Sequence, residues 1–217
     1  MPLLALILAV SSAVAVSPVP EYVPAGDEAY TLDLEIDGYR NGGMSNDRLM
    51  TLAGCTLERD AAYMYALMME AAAQDGVNLG FEDCYRSYSS QKASYNRRCP
   101  VNDVPIYQDD PVTGEKLQTG TKSVRTCTGP PIARAGFSNH GWGRAVDFTD
   151  GSGVLSCTDS VFRWLQGNAH RFGWVNPRWA WCDRSTREPW HWEYAGVTTP
   201  ALVGYNRLNQ DLIKSIE

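Results

Sequence analysis

The stretch SNHGWGRAVDF, residues 138–148, sets a histidine seven positions ahead of an aspartate, with two glycines and a tryptophan between them. Gly141 and Gly143 allow the backbone a sharp path, and RAVDF has the β-branched and aromatic character of a strand. On a strand, Ala145 and Asp147 face one side while Val146 and Phe148 face the other. Asp147 therefore projects from a hydrophobic strand, where an unpaired carboxylate is costly and calls for a cation. Two readings stand at this point. One is a structural hydrogen bond between Asp147 and His140 beside a turn; the other is a pair supplying two-thirds of a catalytic zinc shell.

A third ligand would decide between them, and REPWHWEY, residues 187–194, offers His191. It alternates with Trp190 and Trp192 as a strand requires, and Pro189 argues against a helix, so this is not the helical two-histidine zinc motif. A His, Asp, His set with an open fourth position is the arrangement of a hydrolytic zinc centre, in which the metal lowers the pKa of a water toward about 7. Such chemistry needs a base, and two carboxylates flank His191. Glu188 stands at the strand entrance, held extended by Pro189. Glu193 shares a strand face with His191 and fits an outer partner of a neighbouring group. From the residues alone, both remain candidates.

Working outward, TLERDAAYMYALMMEAAAQDG carries Leu57, Ala61, Met64, Tyr65, Met68, Ala71 and Ala72 at helical spacing. Thr56 reads as its N-cap and Gly76 as its stop, which predicts a core-packing helix over about 57–75. VNLGFEDCYRS reads as a strand, with Ser89 capping a second helix over about 89–98. A third helix is expected over about 159–172, and His170 near its end complements the helix dipole rather than joining the site. Residues 100–131 are rich in Pro, Gly, Asp and Thr without apolar period, and read as a long loop, with room for a hairpin, bracketed by Cys99 and Cys127.

The segment MPLLALILAVSSAVAV is too short to span a bilayer comfortably and ends in small residues, so residues 1–15 read as a signal peptide, with no stable membrane span expected after processing; no Lys or Arg precedes the apolar run, and an unusual anchor is the alternative. Residues 16–45 form an acidic leader, expected to be loosely ordered, and residues 46–217 the folded domain. Six acids, from Glu21 to Asp37, precede the first basic residue, Arg40, and account for the whole net charge of −6. The remainder is balanced, with no basic stripe for a nucleic acid. Six cysteines in an exported chain imply a disulfide framework; fifteen pairings stay open from the sequence, and the one we expect among them is sequential, Cys55 with Cys84, Cys99 with Cys127 and Cys157 with Cys182.

SNHGWGRAVD followed by EPWH resembles the S-x-H-x-x-G-x-A-x-D and E-x-W-H motifs of the VanY-like zinc D-alanyl-D-alanine carboxypeptidases and their phage endopeptidase relatives; CYRSYSSQ, residues 84–91, resembles the same family's Arg-Ser element. The resemblance implies His140, Asp147 and His191 as ligands of one zinc ion per chain, Glu188 as general acid/base, and Arg86 as the group that steadies the substrate oxyanion. It matches Ser138 and Gln91 to substrate-side positions. Trp142 and Trp190, each adjacent to a motif, are candidates for the groove wall. The fold expected is α+β: a small central antiparallel sheet carrying Asp147 and His191, packed by three helices. The activity implied is that of a secreted or cell-wall-associated, monomeric carboxypeptidase acting on peptidoglycan stem peptides. An endopeptidase cutting inside the stem is the alternative, and a non-catalytic zinc-containing binding module the remote one.

Overall fold

In a computed structural model of the chain, residues 35–196 are described, so the expected signal peptide, most of the leader and the segment after 196 lie outside the described residues. The chain begins with a hairpin, β1 (Leu49–Leu52) and β2 (Cys55–Glu58), whose two-residue turn places Ala53 and Gly54 at positive φ, 49° and 93°. Helix α1 (Arg59–Gln74) follows without a break. Its cap is Glu58, not Thr56: the fully buried Glu58 carboxylate accepts from the amides of Asp60 and Ala61, while Thr56 lies within β2. A carboxylate there satisfies free amides and suits the positive helix end, and Arg48 at 3.1 Å offsets its burial. Gly76, at φ 75°, ends the run as expected. The expected stripe is the buried one, with Ala61, Tyr65, Met68 and Ala72 all in the core.

Strand β3 (Gly80–Asp83) leads to α2 (Tyr88–Arg98), which Ser87 caps by accepting from the Ser90 amide, two residues earlier than expected at Ser89. Within residues 100–131 the hairpin for which the sequence left room is present and takes up most of the segment: β4 (Val101–Asp109) and β5 (Lys116–Arg125) pair antiparallel, with one register shift between Ile106 and Tyr107. Exposed on both faces, this hairpin has no apolar alternation to betray it, and its strands are held by each other rather than by a core. After β6 (Ala145–Thr149) come α3 (Ser160–Asn168), continued by a 3-10 turn to Phe172, then β7 (Trp174–Val175) and β8 (His191–Tyr194).

The central sheet is antiparallel in the order β3-β6-β8-β7. Its register pairs Val146 with Trp192, Asp147 with His191, and Ala145 with Glu193. Because side chains alternate along a strand, the sheet separates two environments. One face presents Val146, Phe148, Trp192 and Tyr194 to α1 and α3, with Tyr65 stacked 6.2 Å from Phe148 and Phe162 edge-on 6.3 Å from Trp192. The opposite face carries Asp147, His191 and Glu193. The fold is therefore the expected α+β arrangement. All three sequential disulfides are present, Cys55–Cys84, Cys99–Cys127 and Cys157–Cys182. Among the described residues no helix is long and apolar enough to cross a membrane.

Candidate metal centre

His140 reaches the sheet from a 3-10 turn over Asn139–Trp142 that enters β6 through Gly143. Gly143 sits at φ 67°, and a side chain there would meet the Glu58 backbone nitrogen at 2.7 Å, so both conformation and space require glycine. Gly141 has no room for a Cβ either, because Asn41 and Gly42 lie against it. Residues 41–44, inside the expected leader, dock onto this turn: Gly42 donates to the Gly141 carbonyl at 2.8 Å and Asn41 to the Ser138 carbonyl at 2.8 Å. The Nδ1 of His140 lies 2.7 Å from the Cys84 carbonyl, which fixes that nitrogen as donor and leaves Nε2 for the site. Cys84 is in turn tied to β2 by its disulfide with Cys55.

The His140 Nε2 lies 3.3 Å from Asp147 Oδ1, and His191 Nδ1 lies 2.9 Å from the same oxygen. Two imidazole nitrogens and a carboxylate oxygen thus converge, all within 4.8 Å of one another. Behind His191, its Nε2 donates to Glu193 at 3.0 Å, and Glu193 also accepts from Asn139. Each histidine therefore has its rear nitrogen engaged, by a carbonyl for His140 and a carboxylate for His191, and its front nitrogen turned to one point. That donor set and its outer partners fit zinc. Burial, the largest influence on Asp147, favours its neutral form, but the two histidines outweigh it and hold the carboxyl well below the usual range. Burial works against charge on His191 too, yet Asp147 and Glu193 raise its affinity for a proton. A dication and a proton are consequently competitors for this ring.

The centre lies in a cleft of about 570 Å³. Glu188 lines it, and its carboxylate receives no hydrogen bond from any described residue. Burial pushes its pKa up from 4.5 to about 6, with Asp147 adding to the rise and His191, Arg86 and Arg98 opposing it. Asn176, fully buried, donates to the carbonyls of both Glu188 and His191 and so sets these two residues relative to each other. Arg86 is clamped by Asp83 at 2.8 Å and Gln91 at 2.7 Å, and its Nη2 lies 4.0 Å from Asp147.

Of the expected substrate-side residues, Ser138 and Trp190 line the cleft; Gln91 and Trp142 do not. Gln91 is buried, its oxygen accepting from Arg86 and its amide donating to the Ala133 carbonyl, so both ends are spent on orienting the arginine. His170 stands apart from the ligand cluster, as expected. Sequence reading missed Asn139, Asn176, Trp179 and Arg98. Trp179 lies 5.0 Å from the His191 ring and forms an exposed rim with Phe137 and Val154. No pattern marks these residues, except that Asn139 directly precedes a ligand candidate.

Residues 54–197 match the VanY family, described as D-alanyl-D-alanine carboxypeptidase. A D-alanyl-D-alanine carboxypeptidase of Enterococcus faecalis is 36% identical over 144 residues, covering 65% of this chain and 49% of the relative, so the chain spans about half the length of the curated relative it matches. The solved LD-carboxypeptidase LdcB superposes with a TM-score of 0.50 at 18% identity, over 86% of this chain and 94% of that one, a likeness of fold.

Proposed function

The chain belongs to the VanY family of D-alanyl-D-alanine carboxypeptidases, and from that premise we propose that it is an exported zinc peptidase that removes the terminal D-alanine from peptidoglycan stem peptides. The observation that carries the proposal is the convergence of His140, Asp147 and His191 beside an unbonded Glu188 carboxylate in an open cleft. Those three side chains would hold one ion per chain. When bound, it supplies a Lewis acid and a lowered water pKa, worth several kcal/mol to charge developing in the transition state.

The chain's own residues do the rest. Glu188 takes a proton from the attacking water and returns it to the departing amine, a task suited to a carboxylate whose pKa sits nearer neutrality than usual. Arg86, charged at every working pH and held by Asp83 and Gln91, offers its remaining donor to the carbonyl oxygen as it becomes an oxyanion. Glu193 keeps the His191 ring oriented through Nε2. The exposed Phe137, Val154 and Trp179 supply apolar wall for the peptide and its methyl groups. Three disulfides suit an oxidising, extracytoplasmic setting. The test is to incubate zinc-loaded protein with a peptide ending in D-alanyl-D-alanine and follow the products by mass spectrometry. Free D-alanine alone is expected; larger fragments from within the peptide, or no release, would overturn the reading.

A further inference from the structure

The cleft holds two arginines, and they differ in what they are committed to. Arg86 is surrounded by Asp83, Asp147 and Gln91. Arg98, on the wall formed with residues 130–133, meets only neutral carbonyls: those of Thr128, at 3.4 Å and 3.5 Å, and Pro130. Among the described residues no carboxylate lies within ion-pair distance of it, and its Nη1 has no partner. Its neighbour Arg97, by contrast, turns back onto its own helix to Ser94.

The cradle around Arg98 is built by the ends of the long hairpin. Cys99 is joined to Cys127, and Thr128 donates its backbone amide to the Arg98 carbonyl at 2.9 Å, closing the end of α2 onto the chain leaving β5. Gly129 stands at φ 77°, and a Cβ on it would come within 3.2 Å of the guanidinium, so the absent side chain is the space Arg98 occupies. Two prolines, Pro130 and Pro131, stiffen the segment that follows. A guanidinium so held is pre-organised to meet a planar anion with little further loss of side-chain freedom.

We propose that Arg98, seated by the hairpin's base, receives the free terminal carboxylate of the substrate and thereby selects removal of the last residue over cleavage inside a chain. This rests on the carboxypeptidase reading above and assigns the residue that enforces it. An ion pair in the cleft would stabilise binding of the acid and leave an amide-ended peptide without a match for the fixed cation. Arg98 and Glu188 line the same cleft as His140, Asp147 and His191, which puts the guanidinium on the wall of the reacting centre.

The experiment compares two synthetic pentapeptides ending in D-alanyl-D-alanine, one with a free terminal carboxylate and one with a terminal carboxamide, on wild-type protein and Arg98→Gln. A charge-assisted hydrogen bond predicts that Arg98→Gln lowers kcat/KM for the acid by ~10- to 100-fold. Activity on the amide should hold within about threefold, so the preference for the acid collapses. Ion content and melting temperature are measured on the same samples to establish that the variant is folded and loaded. An unchanged acid-to-amide ratio in a folded, loaded variant overturns the assignment. So does the absence of an Arg98-dependent loss on a third peptide that keeps its terminal acid but carries its internal acidic side chains as amides. Failure of the carboxypeptidase reading itself looks different: wild-type protein then releases no terminal D-alanine from the acid.

Discussion

Glu188→Gln removes the charge of the candidate base while keeping its shape, and the structure makes it answer two questions at once. The side chain makes no hydrogen bond to any described residue, so the substitution breaks none. A rise in pKa from 4.5 to about 6 corresponds to about 2 kcal/mol against the ionised carboxylate at neutral pH. Glu188 is only partly buried, and solvent screening brings this to about 1 kcal/mol. The folded protein binds the Glu188 proton more tightly than the unfolded chain does, so this penalty is absent below about pH 4.5 and complete above about pH 6. Ion-free Glu188→Gln should therefore melt about 2–4 °C above wild-type at pH 7.5, with the gain vanishing near pH 4. Zinc-loaded, the same variant should lose turnover by ~100-fold or more while retaining its ion. Glu193→Ala is the counterpart: it strands the His191 Nε2 and should weaken ion affinity by ~10- to 100-fold. A Glu188→Gln variant that stays active, beside an inactive and ion-replete Glu193→Ala, would refute the assignment of the base. Loss of stability in Glu188→Gln at neutral pH would refute the electrostatic reasoning.

Four further outcomes are expected. The pH profile of kcat/KM should show an acid limb at or below about pH 6, since Glu188 must be ionised and a nearby dication lowers its pKa further; a limb above pH 7 would exclude it as the titrating base. Elemental analysis should find about one zinc per chain, abolished in a His140→Ala, His191→Ala double variant and untouched by His170→Ala, with apparent affinity falling as acid protonates His191. Arg86→Lys keeps the charge but loses the planar fork that Asp83 and Gln91 hold, so turnover should fall at constant ion content in steady-state assays. In the β1–β2 turn, Ala53→Asn places a residue tolerant of positive φ where an alanine is strained, and thermal melts should register a gain of about 1 kcal/mol.

Much of this protein is decided locally. Ala145 to Phe148 alternate because a strand's side chains do, and that alone forces Asp147 off the hydrophobic face and in search of a cation. The stripe from Ala61 to Ala72 has one helical period and one core to enter. The caps lie two residues from the positions their residue types suggest, at Glu58 rather than Thr56 and at Ser87 rather than Ser89, because a cap is chosen by which side chain reaches the free amides, and that depends on where the preceding strand delivers the chain.

The tertiary structure alone decides what depends on register and approach. Asp147 meets His191 because β6 and β8 pair in that register rather than one residue away, where the histidine would fall into the core. The choice of His140 Nε2 for the site follows from a carbonyl 56 residues away in sequence, that of Cys84. Gln91 turns inward to Arg86 because the Ala133 carbonyl waits for its amide. The exposed β4–β5 hairpin has no alternation to read, since neither face is buried, and its strands form because their backbone groups satisfy each other. Arg98 becomes part of the cleft wall only when that hairpin brings Thr128, Gly129 and Pro130 back across the end of α2. Composition and period reveal which residues must avoid water or find a charge; which partner each finds is fixed by contacts between segments far apart in the chain.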